Sequence, residues 1–343
     1  MSLPARFLTN EAVSYDSRLA ALRHLLGPGI EQEDFVRQRD RIRYRRFWGA
    51  VTLSALLGVS CAVKEIQPPV QPQVVQPPPK PAKIALVLGA GASKGFAHIG
   101  VLKVLESNKI PIHMIVGTSV GSVVGSLYAS GYDAYRLQKL SFSIEKEDIV
   151  DPLYIPSNGF IKGERLEEFI NRLVSNTPIE KLKIPFYAVA TDLGSGQETV
   201  FAKGNTGTAV RASCSIPGIF RPVRISDKMY ADGGIVSPVA VEAARRLGAD
   251  IVIAVDISSG VARSQPEGTV EALLQSINIM YSRLSSIQLS QADVVIKPKV
   301  GHIGSADFSK KHEAILEGEK AALEGLPQII RIVARLREEG RLP

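Results

Sequence analysis

Between residues 84 and 130 the chain twice runs a short apolar segment into a glycine-rich turn and on into a helical pattern. The first unit is Ile84–Leu88, then Gly89-Ala90-Gly91-Ala92-Ser93-Lys94-Gly95, then a helix over 96–107 that is apolar on more than one side. The second is 112–116, then Gly117-Thr118-Ser119-Val120-Gly121. In its helix Val120, Val123, Val124, Leu127 and Tyr128 recur at helical spacing and Gly131 stands where a C-cap would. Continuous apolar runs of this length suit strands covered on both faces. Further runs at 186–190, 251–255 and 293–296 read as strands. Helices are expected through Leu166, Phe169, Ile170, Leu173 and Val174, over 238–247 and 268–289, and over 311–337 with a break near Pro327. Strands alternating with helices imply an α/β fold with a mostly parallel central sheet and helices on both faces. No internal repeat is visible, and 83–343 is long enough to bury one large core.

The turns carry the candidate chemistry. Gly117-Thr118-Ser119-Val120-Gly121 fits G-x-S-x-G, a serine on a tight strand-to-helix turn, with the helix N-terminus favouring negative charge beside it. Gly91-Ala92-Ser93-Lys94-Gly95 fits the same pattern. Periodicity does not choose between Ser93 and Ser119, and either serine also suits a helix cap. The first turn is not a P-loop, because no G-K-[ST] follows at the required spacing, and Lys94 occupies the third glycine position of a dinucleotide fingerprint. Tyr230-Ala231-Asp232-Gly233-Gly234 places an aspartate before two glycines, which alone is also an ordinary turn. Five histidines are present. His98 and His113 lie near these motifs, so a Ser–His–Asp triad is conceivable, but packing is the simpler role. Two cysteines, Cys61 and Cys214, are too few for a disulfide framework, and no Cys/His cluster has zinc spacing.

Taken together, the glycine turn with its basic residue, Gly117-Thr118-Ser119-Val120-Gly121 and Asp232-Gly233-Gly234 resemble the patatin-like phospholipase family. Gly95-Phe96-Ala97-His98-Ile99-Gly100-Val101-Leu102 and Ala212-Ser213-Cys214-Ser215-Ile216-Pro217-Gly218 extend the likeness over about 83–325. It looks closest to the bacterial branch akin to neuropathy target esterase. The resemblance implies a three-layer α/β/α fold and a Ser–Asp dyad without histidine, with Ser119 as nucleophile and Asp232 as base. It implies an oxyanion hole at Gly91 and Ala92, in a loop framed by Gly89, Lys94 and Gly95. Gly117, Gly121, Gly233 and Gly234 then shape the other two turns. Ala90 and Ala92 replace family glycines, Lys94 replaces arginine, and Ser237 stands where asparagine is common. The activity implied is acyl-ester hydrolysis of the phospholipase A or lysophospholipase type, with no cofactor and no metal. The alternative is a non-catalytic lipid-binding or scaffold lipoprotein that keeps the fold. Cys214 reads as a buried small residue, and Lys94 as a loop support or an attractor of anionic head groups.

The net charge of +7 is concentrated at the start: 1–60 holds nine arginines against six acidic residues, leaving 32 basic and 28 acidic residues downstream. Six of those arginines fall within 37–46, and 47–63 is uncharged and mostly apolar. A basic run, an apolar run and Leu57-Gly58-Val59-Ser60-Cys61 resemble a lipoprotein signal rather than a nucleic-acid arm. Cys61 is then the lipidated residue, anchoring the protein at a membrane surface. Cleavage there makes 1–60 longer than an ordinary signal, so translation is expected to begin later, for instance at Val36. Residues 67–81 hold seven prolines in fifteen positions, an extended tether. The expected organisation is a leader and signal over 1–60, a lipidated Cys and tether over 61–82, and the catalytic domain over 83–343. Ala62 lacks the aspartate that commonly retains lipoproteins in the inner membrane, so the outer membrane is expected.

Overall fold

The computed structural model describes residues 78–152, 161–258 and 268–343. The leader, Cys61 and most of the proline tether lie outside the described residues. An eight-stranded sheet runs β1 (Ile84–Leu88), β2 (Met114–Thr118), β3 (Phe186–Asp192), β4 (Glu198–Phe201), β5 (Val223–Ile225), β6 (Lys228–Asp232), β7 (Ile251–Val255) and β8 (Val294–Ile296). The spatial order is β5-β6-β3-β2-β1-β7-β8, with β4 paired to β3. Strands β1, β2, β3, β7 and β8 are parallel. Strands β4 and β6 run antiparallel to β3, and β5 antiparallel to β6.

Alternation along the central strands builds the two cores. Ile84, Leu86 and Leu88 of β1 join Ile251, Ile253 and Val255 of β7 on one face. That face is covered by α1 (Phe96–Ser107), α2 (Val120–Ser130), α3 (Ala134–Ser143), α5 (Glu164–Leu173) and the long C-terminal α9 (Lys311–Glu338). Ala85, Val87, Val252 and Ala254 face the other way, onto α7 (Val241–Arg246) and Leu289 after α8 (Thr269–Gln288). The short α4 (Lys146–Ile149) and α6 (Thr206–Ser213) complete the helices. Sealed on both faces, β1, β2 and β7 are wholly buried, as the unbroken apolar runs of β1 and β7 require.

Two expectations need correction. Helix α9 is not broken at Pro327 but continues through it to Glu338. Pro327 lies on the exposed side, where the carbonyl it strips of a donor can meet water, while Ile329, Val333 and Leu336 hold the second half on the core. The expected helix over 238–247 is confined to Val241–Arg246. Among the described residues no helix is long and apolar enough to cross a membrane.

Candidate active site

The sheet register sets the site. Leu88 at the end of β1 is level with Gly117 of β2, so both glycine turns emerge side by side at the carboxyl edge of the parallel strands. Thr118 is level with Val189 of β3, and the next β3 residue, Ala190, pairs with Asp232 at the end of β6. Strand β3 therefore holds the serine turn on one side and the aspartate on the other.

Ser119 has φ 54° and ψ −126°, a conformation rarely adopted by a residue with a Cβ. The turn closes tightly: a Cβ on Gly121 would lie 2.0 Å from the Leu88 carbonyl oxygen, so only glycine fits. Ser119 Oγ donates to Asp232 Oδ2 at 2.6 Å. The other carboxylate oxygen, Oδ1, accepts from the Gly234 amide at 2.7 Å and from the Tyr281 hydroxyl at 3.0 Å. Asp232 is wholly buried. Desolvation pushes its carboxyl up to about 6, against the pull of hydrogen bonds from Ser119, Gly234 and Tyr281.

The structure thus brings Ser119 and Asp232 together. It does not bring Ser93 to a carboxylate: its hydroxyl donates to the Gly304 carbonyl at 2.6 Å. In the first turn the Gly89 amide donates to Val255 and the Ala90 amide to Pro238. The Gly91 and Ala92 amides have no hydrogen-bond acceptor among the described residues. Ala92 adopts φ 52°, so alanine here occupies a left-handed position where the family pattern has glycine. Gly95 packs its Cα side against Val120, locking the two turns together. Gly233 and Gly234 carry the chain away from Asp232 in a single 3-10 turn.

Lys94 is 2% exposed, which removes it from any encounter with head groups in solution. Burial lowers its pKa against the pull of Asp256. His98 is also buried, with Nε2 donating to the Gly89 carbonyl at 2.9 Å and Nδ1 without a partner. Desolvation holds it down at about 4, so it is neutral and supports the start of the glycine turn. His113 accepts at Nδ1 from the Ile84 amide at the opposite end of β1, far from Ser119 in the register. Cys214 stands 3.8 Å from Ser122 Oγ, its thiol held protonated by burial and by the charge of Asp232. Ser237 offers its carbonyl to Thr118 Oγ1 at 2.9 Å.

Ser119 and Ala92 open onto a cavity of about 670 Å³. Its walls are almost entirely apolar, with Phe96 and Val123 near the turns and Leu137, Phe169, Ile216 and Phe308 beyond. Cys214 also lines it. A hydroxyl paired with a buried carboxylate at the mouth of such a cavity can transfer a proton and attack an electrophile attached to an apolar chain.

Residues 86–245 match the family model for patatin-like phospholipase. That stretch is similar to patatin-like phospholipases, and it takes in most of the mixed, mostly parallel sheet described above. An uncharacterized NTE family protein of Mycobacterium tuberculosis is 36% identical over 201 residues, covering 56% of this chain and 54% of its own. Lysophospholipase NTE1 of Coccidioides immitis is 31% identical over 293 residues, 76% of this chain and 18% of its own. Patatin-like phospholipase domain-containing protein 6 of Mus musculus is 34% identical over 184 residues, 51% of this chain and 14% of its own. The chain thus spans about half the length, or less, of these curated relatives. Among solved structures, VipD from Legionella pneumophila overlaps with a TM-score of 0.42 at 14% identity, covering 73% of this chain and 67% of that one.

Sequence reading missed Tyr281. The signal was a tyrosine on the inward stripe of the helix expected over 268–289, whose buried hydroxyl needs a partner.

Proposed function

We propose that the protein is a serine hydrolase of carboxylic esters, acting on phospholipids or lysophospholipids through a Ser119–Asp232 dyad. The observation that carries this reading is the 2.6 Å hydrogen bond from Ser119 Oγ to Asp232 at the mouth of the apolar cavity. A serine hydroxyl is a weak nucleophile until a base takes its proton. A carboxyl near 6 is ionised at neutral pH yet basic enough to accept that proton. Ser119 Oγ attacks the ester carbonyl as Asp232 Oδ2 takes the proton. The oxyanion of the tetrahedral intermediate is held by the Gly91 and Ala92 amides, and one such donor is typically worth about 10²–10³ in rate. Protonated Asp232 then returns the proton to the leaving alcohol, and water repeats the sequence to release the fatty acid.

The apolar walls of the cavity suit the acyl chain of a phospholipid or lysophospholipid. The names of the relatives, phospholipase and lysophospholipase, agree with this class. A lipid on Cys61 and a proline tether would hold the domain near its substrate, at the outer membrane. Incorporation of labelled palmitate into the full chain but not into Cys61→Ala tests that part.

The dyad is tested by labelling with a fluorophosphonate and by hydrolysis of a long-chain lysophospholipid. Ser119→Ala abolishes both, Asp232→Ala abolishes hydrolysis, and Ser93→Ala leaves much of each. An active Ser119→Ala protein overturns the reading. Failure of the intact chain to label leaves a lipid-binding protein that keeps the fold.

A further inference from the structure

We propose that Tyr281 is a positioning residue, whose hydroxyl holds Asp232 Oδ1 so that Oδ2 is presented to Ser119. The inference rests on the reading that Asp232 takes the Ser119 proton, and it adds a third residue to that machinery from a helix outside the family match, which ends at 245.

The carboxylate torsion of an aspartate is broad and roughly two-fold, so its plane is set by what the oxygens bind. Oδ2 has Ser119 Oγ at 2.6 Å. Oδ1 has two donors, the Gly234 amide at 2.7 Å and the Tyr281 hydroxyl at 3.0 Å. The amide comes from the turn two residues on and follows any movement of Asp232. The hydroxyl comes from α8, 49 residues away. That helix is fixed independently: Ile277, one turn before Tyr281, packs with Ala90 and Ile216, and Gln288 accepts from the Val239 amide. Tyr281 is the external reference against which the carboxylate is oriented.

The Asp-Gly-Gly turn is shaped to admit this ring. A Cβ on Gly234 would lie 2.3 Å from Tyr281 Cζ and 2.6 Å from its hydroxyl oxygen. The second glycine of the motif therefore makes room for the tyrosine as well as letting the chain turn.

The chemistry of the hydroxyl fits a donor and nothing else. Burial and the charge of Asp232 raise its pKa well above the ordinary tyrosine value, so it stays protonated. A donor to a carboxylate favours the ionised form and lowers its pKa. The other groups facing Asp232 are the Ser119 hydroxyl from the serine turn and the protonated Cys214 thiol after α6. Asp192 on β3 and Lys228 on β6 are paired with each other at 2.9 Å.

Removing the hydroxyl while keeping the ring should therefore raise the Asp232 midpoint by about one pH unit, the size of one hydrogen bond to a charged group. The test has two readouts on the full chain. The first is ¹³C NMR titration of the Asp232 carboxyl, its signal identified by loss in Asp232→Asn. The second is the pH profile of kcat/KM on a soluble long-chain acyl ester. In Tyr281→Phe both the midpoint and the acid limb move up by about one unit, so activity drops about tenfold near pH 5 and returns toward wild type near pH 9. A residue needed only for packing would lower the rate equally at every pH and leave the NMR midpoint in place, and that result overturns the proposal. If the intact chain hydrolyses no ester, the functional reading falls while the NMR midpoint still decides the role of Tyr281. Should Tyr281→Phe fail to fold, 3-fluorotyrosine at 281, a stronger donor of nearly the same shape, must lower the midpoint, and an unchanged midpoint overturns the proposal.

Discussion

The backbone amide of Ser119 donates to Ser213 Oγ at 2.9 Å, and that hydroxyl donates in turn to the Val189 carbonyl at 2.6 Å. A side chain from the end of α6 thus ties the strained serine turn to the strand beneath it. Non-glycine residues in such sparsely populated backbone regions cost on the order of 1–3 kcal/mol, and the surrounding structure must hold them there. Ser213→Ala leaves a buried amide and a buried carbonyl oxygen without this partner. The expected loss is about 1–3 kcal/mol of unfolding free energy, read by denaturant titration, together with slower phosphonate labelling of Ser119. Unchanged stability and labelling would show that the turn does not depend on Ser213.

The elevated Asp232 carboxyl fixes a pH dependence for both rate and stability. Its folded pKa of about 6 lies above the ordinary value of 3.8, so the folded state binds this proton more tightly than the unfolded chain. The stabilising contribution is complete below about pH 4 and is lost as pH rises through about 6. A shift of about two units corresponds to about 3 kcal/mol as an upper figure. At pH 8, Asp232→Asn should therefore melt at a higher temperature than the unmodified chain while hydrolysing no ester, because the amide removes the cost of a buried charge. Below about pH 6, kcat/KM of the unmodified chain should fall tenfold per unit. A rate that stays level through pH 5, or an Asn variant that melts lower at pH 8, contradicts this.

What was legible in the sequence follows the physics of burial. Strands β1 and β7 are covered on both faces and announce themselves as unbroken apolar runs. The two glycine turns and Asp232 stand out because tight strand-to-helix turns demand glycine. Strands β4, β5 and β6 were hidden because Glu198, Arg224 and Lys228 keep them half in water and break any apolar run. Without them the antiparallel edge that delivers Asp232 to β3 cannot be inferred. Tyr281 was hidden for another reason. Its partner is 49 residues away, so the inward stripe marks the hydroxyl as buried without saying what it meets. Ala92 shows the reverse: the sequence marks the missing glycine, but only the structure shows that the position has φ 52°.

The apolar cavity makes the last prediction. Val123 lies on α2 one turn after Ser119, and at about 1.5 Å per residue it meets the cavity about 6 Å along the helix from Ser119. A tryptophan there would fill the channel after roughly the first few methylenes of a bound chain. Each methylene left unburied forfeits up to about 0.8 kcal/mol of binding. Val123→Trp should therefore lower kcat/KM for a long-chain acyl ester by at least about tenfold while acetyl or butyryl ester hydrolysis and phosphonate labelling stay within about threefold. The comparison of chain lengths within one variant separates a blocked channel from a damaged turn. If the short and long esters fall together, the helix has moved and the cavity is not the acyl site. If neither falls, the chain lies elsewhere.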